Sequence, residues 1–390
     1  MKKNLFAIGL TVLAFGACSH VDEDALADAL PAEETVDLAS LQSDVPIVLG
    51  TIDGSADVTT RGAITYFEEG KSYGNIGVFC VATRKIDAKA PNITWQGIDA
   101  NETNNRMRVW QKNASAHVVV TEDGNGNLIW DDVDTEPHFY PNNDWYAYDF
   151  VAYHPKTTDF DYSYSAINAY ITVDGSDDVF IAAGARPKPD DNLAYSRKYY
   201  TQESKPEAVP YFHFDQLVAK LNFSFKLKLV PAERFYVDSV VIENYPLVMR
   251  VRIASMVNNS FHYQPDRAGL VMTDTSDPRT RYGNMYLRNA DDSSIRKSRV
   301  EVSNEDFVPV GGSLLIPPTS RNLTLRVYLR SESGQLWEVN PITVANNAGW
   351  QKAREYTIRV SLTPPSPINS NARMDGDSFD VVESPIYAED

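Results

Sequence analysis

Three segments, Leu221 to Leu229, Leu323 to Leu329 and Tyr356 to Leu362, alternate apolar and polar side chains with a period of two. That is the pattern of strands with one face in a core and the other in water. Runs of aromatic and β-branched residues at Val78 to Ala82, His117 to Thr121, Trp145 to Tyr153, Tyr170 to Val173 and Val179 to Ala183 predict further strands. Clusters of Gly, Asn, Asp and Pro separate them, and no long stretch competes with the periodicity of an amphipathic helix. A sheet with one apolar face buries it against a second layer, so the chain is expected to be all-β, with two β-sandwich domains in tandem.

The same pattern suggests borders. The polar, Pro-bearing stretch from Arg186 to Pro210 is the expected join, placing the first sandwich at 62–208 and the second at 209–363. Thr363-Pro364-Pro365-Ser366-Pro367 cannot continue a ladder, because proline lacks the N–H donor, so 364–390 is expected to be a detached tail. Its apolar residues include Phe379, Val381, Val382 and Ile386.

The N-terminal end changes the picture. Lys2 and Lys3 precede an apolar and small-residue run from Leu5 to Ala17, and then Cys18. The run is too short to span a bilayer as a helix and reads as a secretory signal peptide, 1–18. Phe15-Gly16-Ala17-Cys18 resembles a bacterial lipobox, which implies lipidation of Cys18 and a membrane-tethered, exported protein. Residues 19–61 carry ten carboxylates against the one basic residue Arg61, an acidic leader that serves either as a surface-sorting signal or as a plain linker. Within it Pro46 to Ile52, with Ile47, Val48, Leu49 and Ile52, is strand-like and lies just ahead of Thr59-Thr60-Arg61-Gly62.

Charge and candidate chemistry narrow the function classes. A net charge of −17 with no clustered Lys or Arg opposes nucleic acid as a partner. After Cys18 the other cysteine is Cys80, inside an apolar run, where a thiol is expected to act as a small hydrophobe. Asp123-Gly124-Asn125-Gly126-Asn127 begins like a calcium loop but has Leu128 where the loop needs Gly, and Asp174-Gly175-Ser176-Asp177-Asp178 reads as turn chemistry, so no metal is expected. His117, His138, His154, His213 and His262 lack metal spacing, and no nucleophile elbow accompanies them. Neither a catalytic residue nor a cofactor is expected, and the chain does not read as an enzyme.

Several pieces, in order, resemble the fimbrillin (Mfa-like) family of type V pilins. They are Cys18, Thr59-Thr60-Arg61-Gly62, Gly74-Asn75-Ile76-Gly77-Val78-Phe79, Tyr140-Pro141-Asn142-Asn143, Tyr148-Asp149-Phe150-Val151-Ala152-Tyr153-His154-Pro155, Phe212 to Leu221, Leu314-Leu315-Ile316-Pro317, and Gly349-Trp350 ahead of Tyr356 to Leu362. The resemblance implies transthyretin-like sandwiches, export as an outer-membrane surface lipoprotein, cleavage between Arg61 and Gly62 by a trypsin-like Arg-specific protease, and assembly with other pilin subunits into a homo- or hetero-polymer of the fimbrium that supports adhesion. It also implies that Ile47, Val48, Leu49 and Ile52 form the strand removed, and that Phe379, Val381, Val382 and Ile386 belong to the donor strand that refills a neighbour's groove. The family commonly carries a tryptophan in that last strand where this chain has Pro385 and Tyr387, so the tail could instead cover its own domain. Three or four side chains re-entering a groove would contribute about 5 to 10 kcal/mol before ordering costs. The competing expectation is a monomeric surface lipoprotein that binds a glycan or host-protein receptor through Tyr-rich loops.

Overall fold

The computed structural model describes residues 36–37, 42–52, 72–84, 93–94, 108–120, 126–131, 138–141, 146–162, 166–185, 210–257, 260–262, 270–287, 300–363 and 375–385. Every secondary-structure element among them is a strand. The leader contributes β1 (Val36–Asp37), β2 (Gln42–Pro46) and β3 (Thr51–Ile52). The first half continues with β4 (Ser72–Arg84), β5 (Ile93–Thr94), β6 (Arg108–Val120), β7 (Gly126–Trp130), β8 (Phe139–Pro141), β9 (Tyr146–His154), β10 (Phe160–Tyr162), β11 (Ala166–Thr172), β12 (Phe180–Ala185) and β13 (Tyr211–Gln216). The second half holds β14 (Ala219–Leu227), β15 (Phe235–Pro246), β16 (Val248–Val257), β17 (Ser260–His262), β18 (Leu270–Val271), β19 (Tyr282–Tyr286) and β20 (Val300–Glu301). It ends with β21 (Val308–Ile316), β22 (Leu323–Ser331), β23 (Leu336–Glu338), β24 (Ile342–Val344), β25 (Arg354–Thr363) and β26 (Asp375–Pro385).

Seven strands close into a barrel in the order β12, β13, β3, β7, β6, β4, β9, and β9 pairs back to β12. The unbroken apolar run of β4 follows from its position. Ile76, Val78, Cys80 and Ala82 face the barrel interior with Tyr148, Phe150 and Ala152 of β9. Phe79 and Val81, with Val151 and Tyr153, face outward onto a second sheet and belong to another core cluster. A strand buried on both faces has no polar face to show, so it does not alternate. Gly77 is required there: a Cβ would sit 2.3 Å from the Tyr153 ring, whose hydroxyl donates to Asn113 Oδ1 at 2.7 Å.

The second half is a two-layer sandwich. One sheet runs β21-β14-β25-β26 and the other β19-β15-β22-β23, with β20 beside β15 and β24 beside β22. The alternating segments supply the shared core: Leu221, Phe223, Phe225 and Leu227, Leu323, Leu325, Val327 and Leu329, and Tyr356, Ile358, Val360 and Leu362 all join one cluster. Two of the sequence motifs close its ends. Tyr245 donates its hydroxyl to the Pro317 carbonyl at 2.6 Å. Trp350 packs edge-on against Tyr356 at 5.0 Å and donates from Nε1 to the Arg321 carbonyl at 3.0 Å.

The halves are not two independent units divided at residue 209. β13 pairs with β12 and β3 and sends Phe212 and Phe214 into the barrel core, so the crossing lies after Gln216. A third sheet joins β10 and β11 of the first half to β16, β17 and β18 of the second. The Pro-rich stretch before Pro210 therefore lies within one hairpin's connection rather than between cores. A polar connection marks a surface crossing, which need not coincide with a border between cores.

Candidate functional site

The leader is built into the barrel. β3 lies between β7 and β13: Thr51 and Ile52 pair antiparallel with Asn127 and Gly126, and Ile52 pairs parallel with Phe212. Ahead of it the chain alternates, with Ile47 2% exposed, Val48 42% and Leu49 6%. Ile47 and Leu49 enter the barrel core beside Trp130, Tyr140 and Phe212, whereas Val48 faces solvent. Two inward aliphatic side chains bury about 3 to 6 kcal/mol of apolar free energy, less than the roughly 5 to 10 kcal/mol expected for three or four, because Val48 adds nothing. Outside the barrel β2 pairs with β8, and β1 pairs with β5.

Side chains hold this segment as much as the ladder does. The Ile47 N–H donates to the His138 carbonyl at 2.8 Å, and the Trp130 indole donates from Nε1 to the Ile47 carbonyl at 2.8 Å in a buried bond. The His138 ring packs tilted against Trp130 at 4.2 Å, and its Nδ1 lies 3.0 Å from Gln111 Oε1. Trp110 Nε1 donates to the Phe139 carbonyl at 2.9 Å, which fixes β8. Sequence reasoning missed Trp110 and Trp130, and weighed His138 only as a metal ligand. A tryptophan at an inward strand position beside a loop was the signal, because a buried indole N–H needs an acceptor.

The tail does not leave its domain. β26 returns antiparallel to β25 over ten register pairs, from Arg354 opposite Pro385 to Thr363 opposite Asp375. It forms one edge of the sheet. Val381 stands opposite Ile358 and packs against the core, whereas Val382 is 39% exposed. The prolines at 364–367 interrupt the strand, and the detached tail expected from them is corrected: a chain can turn through a break in its ladder and rejoin the same sheet. Phe379 stands opposite Val360 in the register. Ile386, like Cys18, Arg61 and Gly62, lies outside the described residues.

The other candidate groups have local roles. Asp174 Oδ1 accepts from the Ser176 N–H at 2.9 Å, which closes an Asx turn in which Gly175 takes φ +97°. Asp178 accepts from Gln216 Nε2 at 2.7 Å and from the Val179 N–H at 2.9 Å, and burial pushes its carboxyl up to about 7. His117 pairs with Asp131 at 2.6 Å. His154 stacks on Phe180 at 5.1 Å, and burial holds its imidazole below the usual range. Cys80 is fully buried, which pushes its thiol well up and removes it from chemistry at neutral pH. Tyr148 and Tyr153 are core residues, and Tyr170 lies under the Arg279 guanidinium at 4.3 Å. The start of the calcium-like loop, Asp123 to Asn125, is outside the described residues.

No family profile and no curated protein sequence matches the chain. Solved structures do resemble it. A proposed cell adhesion protein from Bacteroides uniformis is 14% identical, covers 88% of this chain and 99% of its own, and superposes with a TM-score of 0.42. One from Bacteroides ovatus is 11% identical, with 90% and 99% covered and a TM-score of 0.43. The tip fimbrial protein Mfa3 from Porphyromonas gingivalis, with its C-terminus truncated, is 11% identical, with 88% and 99% covered and a TM-score of 0.31. The solved structures to which this chain is similar thus include proposed cell-adhesion proteins of Bacteroides and a fimbrial tip protein of Porphyromonas gingivalis.

Proposed function

We propose that this chain is a non-catalytic, cell-surface fimbrial subunit, exported as an outer-membrane lipoprotein through Cys18, cut between Arg61 and Gly62 by an Arg-specific protease and polymerised by strand exchange in support of adhesion. The observation that supports it best is the seat of the leader. A short segment, just ahead of the candidate cleavage point, supplies one strand of an otherwise complete barrel. Taking it away would bare two strand edges, β7 and β13, together with the apolar positions that received Ile47 and Leu49. Bared edges and apolar positions together make a docking site for an extended peptide. The strand supplied by a neighbour would be its tail, which in its own domain occupies a sheet edge.

The test is protease treatment of full-length protein and of Arg61→Ala, followed by N-terminal sequencing, size-exclusion chromatography and electron microscopy. Wild type should begin at Gly62 and grow into filaments, and Arg61→Ala should stay uncut and monomeric. Cut protein that remains monomeric would refute polymerisation and favour the monomeric receptor-binding alternative.

A further inference from the structure

Ile47 is gripped by its main chain on one side. In a strand the N–H and C=O of one residue point to the same edge, and in an antiparallel pair the residue opposite meets them with its own C=O and N–H. Opposite Ile47 the first partner is ordinary: the His138 carbonyl accepts at 2.8 Å. The second is a side chain, because the Trp130 indole donates to the Ile47 carbonyl at 2.8 Å, where a ladder would use a backbone N–H. Trp130 is held for this task. It is 4% exposed, its backbone pairs with Ala116 of β6, and the His138 ring packs tilted against its own.

We propose that Trp130 and the His138 carbonyl form a main-chain clamp that sets the register of any strand in this groove, and that in an assembled pair the tail of a second copy is held there with Phe379 at the position of Ile47 and Val381 at that of Leu49. The clamp stands on the leader contacts alone; its second occupant rests on the strand-exchange reading above. An emptied groove leaves a buried indole donor without an acceptor, a costly state that a strand carbonyl relieves whatever side chain it carries. Side-chain selection then comes from the alternation in, out, in. Between Asp375 and Pro385 one spacing of two, Phe379 and Val381, places apolar residues at both inward positions. The residue between them, Asp380, is exposed as Val48 is. Any other spacing would bury a polar, charged or glycine residue where Ile47 and Leu49 sit.

The experiment uses the full chain with a specific protease site placed within 53–61, cut so that the leader remains as a bound fragment. Leader release is followed by size-exclusion chromatography in mild urea. Trp130→Phe, which keeps an aromatic ring and loses the donor, should release the leader about tenfold faster, equivalent to about 1.4 kcal/mol. Ile129→Ala, at an exposed neighbouring position, should release it at the wild-type rate. Equal rates for Trp130→Phe and wild type would overturn the clamp. Should Trp130→Phe fail to fold, indole N–H exchange in wild type decides: slow with the leader bound and fast after release supports the clamp, and fast in both overturns it. A synthetic 375–385 peptide added after release should restore the slow exchange, with Asp380→Ala equally effective and Phe379→Asp ineffective. A wild-type peptide that leaves exchange fast would overturn the second occupant and count against strand exchange while leaving the leader clamp intact.

Discussion

The leader strand built into the barrel and the last strand of the chain are held in opposite ways. β26 has ten register pairs with one neighbour and lies at an edge, with Val382 39% exposed. β3 has two pairs with β7 and one with β13, yet the segment leading into it buries Ile47 to 2% and Leu49 to 6%. A ladder exchanges bonds to water for bonds to protein, a net gain of about 0.5 to 1.5 kcal/mol per bond that the cost of ordering the backbone, about 1 to 2 kcal/mol per residue, offsets, whereas each buried aliphatic side chain contributes about 1.5 to 3 kcal/mol. The longer strand is therefore the more readily detached, and the shorter one is the wedge that closes a core.

The most direct way to break this contrast is to truncate one side chain from each strand. Ile47→Ala should lower stability by about 2 to 4 kcal/mol, read as a fall in the urea midpoint, because it empties a position in the barrel core. Val382→Ala should stay within about 0.5 kcal/mol. Equal losses would show that burial does not separate the two ends.

pH sharpens the contrast next. Asp178 is bonded to Gln216 at the end of β13, one wall of the leader's seat. Burial raises its folded pKa from 3.8 to about 7, so folding favours the protonated form. The stability this group contributes is complete below about pH 4 and is lost as pH rises through 7, a span of about 2 to 4 kcal/mol. Chemical denaturation between pH 4 and 8 should show that fall, and Asp178→Asn should flatten it.

Removing the tail should have a smaller effect. Deleting 368–390 leaves Leu323, Ile358 and Val360 in their cluster and withdraws the partly buried Val381. The expected cost is about 1 to 2 kcal/mol, with circular dichroism unchanged. A truncated protein that unfolds would make β26 an integral wall of its sandwich rather than a separable edge. The smallest effect is expected at Val48→Ala, within about 0.5 kcal/mol in the same denaturation assay, since that side chain faces water between two buried neighbours.

Residue pattern alone determined that the chain is all-β, and where most strands lie. Alternation at Leu323 to Leu329 and Tyr356 to Leu362 told which residues face a core, and the run at Val78 to Ala82 marked a strand, whereas its burial on both faces came only with the structure. Pattern also picked out Pro46 to Ile52 as strand-like within an acidic leader. What it could not supply was the identity of neighbours, because a period of two fixes which face is buried and is silent on which strand lies alongside. Closure of the barrel decided that β13 belongs with the first half and that Trp130 meets Ile47 across 83 residues of chain, and a separate sheet joined β11 to β16. The return of β26 to β25 was settled in the same way: prolines end a ladder locally, and only the three-dimensional path shows where the chain goes after them.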